Sequence, residues 1–441
     1  MSGSVHKTPS WYLPSMAAKI EKPKPPEVIT ATPALESSIG FDVILGAGEK
    51  TPQYGILGKV NGNRVAIDLN GCNTISLFGV QGFGKSYTLG VIAEMAVQAQ
   101  QRVNVLPSPL GTVIFHYHRS DTYEPEHAAA TQPNDKDSEV AKLFREYGAT
   151  PVGLTDVVLL APEAKVEQRR LEYPELTVEA LKFSSTEIGP EGWKFLLGAT
   201  GNDSLYVKQL VAIMRRYRGD LTLDTLRQEI LTSDIADKAK TIAENRIAIA
   251  APYIDDSRTL GTILRPGRTV IVDLRDTWIE KDEALGLFVV MLRIFGATTH
   301  EGEVFNKLVV FDEAHKYIQE SELVGEVVET IREMRHQATT VLIASQDPIS
   351  VPRAVIELTS ILIMHRMTSP FWVKHLKSAI SSLERVNVDD LAMLAPGEAL
   401  VWAQRSTDRR FMIQTQKVVI RPRFTRHGGS TRTAVKRENG R

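Results

Sequence analysis

The chain has 441 residues, and 52 lysines and arginines against 53 acidic residues leave a formal charge of −1. With 43% hydrophobic and 24% charged residues, it has the make-up of a globular protein of two or three domain-sized units, or one large domain with insertions. The single cysteine, Cys72, excludes an internal disulfide framework and a cysteine-based zinc site, and it fits a cytoplasmic protein.

The N-terminus lacks a basic start followed by an apolar run, so no secretory signal is expected. Six of the 22 prolines fall within residues 1–37, which read as an extended arm without regular structure. Residues 38–70 carry glycine and Asn-Gly turns between short alternating runs. They predict a small β-hairpin unit ahead of the main domain. From 71 to 420, apolar runs (75–78, 112–117, 157–160, 268–274, 307–312, 340–345 and 360–365) are strand candidates. Helical periodicity lies between several of them, at 85–100, 203–217, 282–295 and 321–335. That alternation predicts an α/β core with a largely parallel sheet covered on both faces, interrupted by a polar helical insertion at about 165–260. The densest apolar run, Ala284 to Leu292, falls well short of the ~20 residues of a membrane span. Residues 421–441 hold seven cations and one acid, a charge of +6 on an otherwise acidic chain. They read as a flexible basic tail, suited equally to phosphate contacts and to solubility.

The strongest motif is Gly79-Val80-Gln81-Gly82-Phe83-Gly84-Lys85-Ser86, which satisfies G-x-x-x-x-G-K-[ST]. A buried strand precedes it and a helix opening at Tyr87 follows. Glycines let backbone N–H groups turn toward phosphates at the positive end of the helix dipole. Lys85 would reach the β- and γ-phosphates of ATP, and Ser86 would give a hydroxyl to Mg²⁺. The next element, Lys307 to His315, ends a buried strand in two acids. Asp312 would hold Mg²⁺, and Glu313 would polarise the attacking water. His315 reads as a packing or coupling residue. A third strand, 340–345, ends in Gln346, placed to sense the γ-phosphate.

In order and spacing these motifs resemble the HerA/FtsK branch of RecA-like motor ATPases, with the additional strand and catalytic glutamate, and HerA more than FtsK. The resemblance runs over about residues 40–425. It rests on GVQGFGKSYTLG, LRPGRTVIVDLRD (264–276), KLVVFDEAHKYI (307–318), IREMRHQATTVLIASQDP (331–348), IELTSILIMHR (356–366) and LAPGEALVW (394–402). The resemblance implies a homo-oligomeric, hexameric ring that moves duplex DNA with ATP, often serving a separate nuclease or defence effector. By the same resemblance Gln346 matches a sensor glutamine. Arg332 and Arg335, and more weakly Arg366, are candidates to touch the γ-phosphate, in cis or across a subunit boundary. The barrel preceding the HerA motor is reduced here to the stretch before Leu69. Where the family often has an acidic stretch, His116 and His118 stand instead, read as polar lining rather than metal ligands. Two other readings stay open: an ATP-gated scaffold that activates an effector, and a motor on protein or single-stranded DNA.

Overall fold

The computed structural model describes residues 40–196, 205–318 and 324–429. The proline-rich arm and residues 430–441 of the basic tail lie outside them.

The strands follow the apolar runs. They are β1 (Val43–Leu45), β2 (Tyr54–Val60), β3 (Asn63–Asp68), β4 (Thr74–Phe78), β5 (Asn104–Val105), β6 (Gly111–His118), β7 (Val157–Ala161) and β8 (Thr177–Ala180). After the insertion come β9 (Thr269–Arg275), β10 (Thr299–His300), β11 (Glu303–Val304), β12 (Lys307–Phe311), β13 (Thr339–Ser345), β14 (Ile361–Met364), β15 (Glu398–Ala403) and β16 (Gln416–Ile420). All but the small β10–β11 hairpin join one sheet, ordered β1-β3-β2-β16-β15-β14-β4-β13-β12-β6-β9-β7-β8, with β5 beside β2. From β14 to β8 every pairing is parallel. From β14 through β15, β16 and β2 to β3 the pairings are antiparallel.

Side chains alternate across this sheet, and each face finds its own cover. Ile75, Leu77, Leu308, Val310, Leu342 and Ala344 pack on helix α1 (Lys85–Val97). Phe78, Phe115, Val309, Phe311 and Ile343 face the opposite way, onto a core that includes Phe288 of the helix Lys281–Ala297. There Phe115 stacks on Phe288 at 4.5 Å between ring centres, and Phe311 lies 5.2 Å from Phe115. Burying such side chains stabilises each element by about 1.5–3 kcal/mol per residue. No helix of the described residues is long and apolar enough to cross a membrane.

Three boundaries differ from the sequence expectation. The hairpin β2–β3 extends the main sheet through β16 rather than standing ahead of it as a unit. The insertion is shorter than 165–260, because β8 pairs with β7 and only the helices from Pro190 to Ala250 are purely helical cover. The basic tail is not flexible at its start: Arg421, Arg423, Phe424 and Thr425 are all buried. Their cations have a buried acid to meet, since Glu94 on α1 lies 2.6 Å from the Arg421 guanidinium.

Candidate nucleotide site

The phosphate loop joins β4 to α1. Gly84 caps the helix at φ 103°, in the left-handed region that favours glycine, so Lys85 begins α1 with its backbone N–H groups facing the loop. Gly79 is needed for a different reason: a Cβ there would lie 2.7 Å from the Cβ of His365. His365 directly follows β14 and is buried behind the loop. It shares hydrogen bonds of 2.8 Å with Thr88 of α1 and with the carbonyl of Glu398. Gln81 is exposed at the loop tip, and the ring of Phe83 lies beneath the Arg366 guanidinium at 4.7 Å. Tyr87 turns away from the loop. Its hydroxyl donates to Glu139 at 2.7 Å and accepts from the Arg423 N–H at 2.8 Å.

β13 lies between β4 and β12, so the acids of β12 reach the loop across one intervening strand. The reach is made at Glu313, whose backbone adopts φ 50°, ψ 43°. That left-handed turn sends its side chain away from Asp312. One carboxylate oxygen pairs with the buried Lys85 ammonium, and the other accepts from Gln346 Nε2 at 2.9 Å. His315 Nδ1 stands 3.4 Å from the same oxygen. Burial pushes the Lys85 ammonium down, but the charges of Glu313 and Asp312 outweigh it and hold the group above its usual range. Lys85, Glu313 and Gln346 therefore form one connected set.

Asp312 is buried beside two imidazoles, 3.7 Å from His116 Nδ1 and 4.0 Å from His127 Nε2. Burial raises its carboxyl, but His116, Lys85 and His127 together hold it below the usual carboxylate range. Its Oδ1 has no hydrogen-bond partner among the described residues. Glu126 completes this corner: burial and Asp312 push its carboxyl up, while the Ser86 hydroxyl and Lys85 pull it down. A buried carboxylate oxygen with no protein partner among the described residues, close to a second acid that the Ser86 hydroxyl already meets, suits a divalent cation held in part through water.

Arg332 and Arg335 are not brought to this site. Arg332 is exposed and pairs with Glu329 at 2.6 Å. Arg335 lies where β13 begins, its carbonyl against Cys72 just before β4. Gln346 follows the other end of the seven-residue strand β13, about 20 Å away. Contact in cis is thereby ruled out for Arg335. His116 does line the site, whereas Glu126, His127, Tyr123 and His365 carried no local signal. They are assembled from a loop after β6 and from the end of β14.

No family model matches the chain, and no curated protein does. Among solved structures, VirB4 of Thermoanaerobacter pseudethanolicus superposes with a TM-score of 0.53 at 12% identity, covering 85% of this chain and 98% of that one. The fold is that of a RecA-like P-loop NTPase. The bacterial conjugative coupling protein TrwBdeltaN70 gives a TM-score of 0.49 at 12% identity, over 87% of this chain and 91% of that one. The genome packaging NTPase B204 of Sulfolobus turreted icosahedral virus 2, in complex with sulfate, gives 0.34 at 10% identity, over 81% and 99%.

Proposed function

We propose that this chain is an ATP-hydrolysing motor of the HerA/FtsK type, which assembles as a homo-oligomeric, hexameric ring, moves duplex DNA and serves a separate nuclease or defence effector. One observation carries the ATPase part: Glu313 is held between Lys85 and Gln346 beside the phosphate loop. Lys85 is shared between two claims. A triphosphate draws its ammonium toward the β- and γ-phosphates and so leaves one oxygen of Glu313 to take a proton from water. Water oxygen then bonds to the γ-phosphorus as the bond to the bridging oxygen breaks. Gln346 keeps the other carboxylate oxygen and so fixes the direction of the base. Ser86 and Asp312 would hold Mg²⁺, which offsets phosphate charge when bound. The ring and the DNA substrate are supported by the motif set, from the phosphate loop to the Pro-Gly-Glu-Ala turn at 396–399.

The test is the ATPase rate of the purified chain alone, with duplex DNA and with single-stranded DNA, beside Glu313→Gln. The variant is expected to lose about 100-fold or more of turnover while still binding ATP. Duplex DNA is expected to stimulate the wild type more than single strands do. Turnover indifferent to DNA but raised by a protein partner would replace the motor with an ATP-gated scaffold. A monomer by native mass measurement with ATP would refute the ring.

A further inference from the structure

The acid pair and its neighbours leave Lys316, in the same motif, without a role. Lys316 closes the short turn Ala314–Lys316 after Glu313, its N–H bonded to the Glu313 carbonyl at 2.9 Å. Its half-buried ammonium lies 4.0 Å over the centre of the Tyr123 ring. Among the described residues that ammonium has no hydrogen bond and no ion pair, so its three donors meet no described acceptor. Most other cations near this corner are engaged. Arg169 and Arg275 are tied into buried carboxylates, Arg119 pairs with Glu280, and Lys85 pairs with Glu313. Arg366 rests on Phe83, on the phosphate loop itself.

The Tyr123 platform is built into the site wall. Its ring stacks on His118 at 4.6 Å and 11°. Its carbonyl is 3.1 Å from His116 Nε2, and the other nitrogen of that imidazole faces Asp312. Two residues earlier, Asp121 is clamped by Lys165 at 2.7 Å and Arg169 at 3.0 Å, and its carbonyl accepts from Arg275 at 2.8 Å. These contacts fasten the loop that carries Tyr123. Burial pushes the Lys316 ammonium down, against the opposing pull of Glu313 and Asp312, which places it in the field of the acid pair. An aromatic face holds an ammonium without neutralising it and competes weakly with a phosphoryl oxygen, which offers full negative charge and a hydrogen-bond acceptor.

We propose that Lys316 is a second lysine of the nucleotide site, poised on Tyr123 to bind the terminal phosphoryl group of a nucleoside triphosphate, so that the site distinguishes triphosphate from diphosphate. This rests on the ATPase reading of the same site. Lys85 serves both nucleotides through the phosphate loop, whereas Lys316 approaches from the Glu313 side, where only a triphosphate presents an oxygen.

The experiment is equilibrium binding of fluorescent ADP and of a fluorescent β,γ-imido ATP analogue to the full chain, its Lys316→Met variant and its Lys316→Arg variant. The methionine variant keeps the aliphatic stem on Tyr123 and removes only the charge. It is expected to hold ADP within about threefold of wild type while losing about ten- to hundredfold in analogue affinity, the worth of one charge-assisted hydrogen bond. Lys316→Arg is expected to recover most of that loss. An unchanged ratio of the two affinities in Lys316→Met overturns the proposal. So does an equal loss of both, which would make the lysine structural. A wild-type chain that binds neither nucleotide would instead sink the ATPase reading itself.

Discussion

Glu313 stands on backbone that side-chain-bearing residues rarely adopt, at φ 50°, and such a conformation costs about 1–3 kcal/mol. Its surroundings offset that cost, chiefly the Lys85 pair, where both side chains are almost wholly buried. Lys85→Met is expected to leave a buried carboxylate without its cation and to lower stability by about 3–5 kcal/mol, as well as abolishing nucleotide binding. Adding Glu313→Gln should restore much of the stability and none of the turnover. Urea unfolding of the four-member cycle reads this directly, and additive losses would show the pair to be uncoupled. His365 makes a pH prediction on the other side of the loop. Burial pulls its imidazole down to about 4 from 6.5. Since the folded state takes up this proton at lower pH than the unfolded chain, the stability is full above about 6.5 and drains as pH falls toward 4. At pH 5 the loss amounts to about 2 kcal/mol. His127, at about 3, and His427, at about 4, add in the same direction. His365→Gln should therefore remove part of the acid sensitivity, measured as unfolding free energy at pH 7 and pH 5. A variant as acid-sensitive as the wild type would refute the assignment.

Among elements, the segment from Arg421 to Thr425 departs furthest from what its composition suggests. Glu94 takes the Arg421 guanidinium at 2.6 Å, and from the same segment the Thr425 N–H at 3.0 Å and hydroxyl at 2.6 Å. Arg423 lies 3.8 Å off and is held by Thr425. The segment is thereby fastened along α1, the helix that carries the phosphate loop. Glu94→Ala is expected to strand two buried guanidinium groups and cost about 3–5 kcal/mol, read as a fall in the denaturation midpoint. A change under about 0.5 kcal/mol would mean the segment is held by packing alone. The signal for this contact was present: Glu94 is an acid on the apolar helix stretch YTLGVIAEMAVQAQ. Counting cations alone missed it, because a charge count records neither burial nor partner. The phosphate loop, by contrast, was legible, since its glycines, lysine and serine act through local geometry that spacing records. The acids of β12 and Gln346 after β13 were legible for the same reason, each ending an apolar run. The insertion of β13 between β4 and β12 was carried by the family resemblance and by nothing local, because strand order is settled by distant contacts. Glu126 and His127 sit on a short turn with no periodicity, and only the chain's return from β6 brings them to Ser86 and Asp312.

At the scale of the whole molecule, the parallel strands have two unlike ends. The phosphate loop, Glu313 and Gln346 cluster where the parallel strands end, and Arg335 lies where β13 begins, with exposed Arg332 on the helix leading into it. An arginine there cannot serve its own nucleotide, but in a head-to-tail ring each subunit presents one surface to the site of the next. Arg335 acting in trans is therefore the form of the arginine proposal that the geometry leaves standing. Mixing two inactive variants tests it. Glu313→Gln subunits would lack the proposed base but keep the arginine, and Arg335→Ala subunits would keep that base but lack the arginine. If the arginine acts on a neighbour, an equimolar mixture regains up to about a quarter of the wild-type rate, because random placement in the ring gives that share of competent interfaces. A mixture as inactive as its components, with rings of mixed composition shown by native mass, would exclude Arg335. The same experiment with Arg332→Ala identifies which of the two is used. Recovery by either would also establish that the nucleotide site is completed by a second copy of the chain.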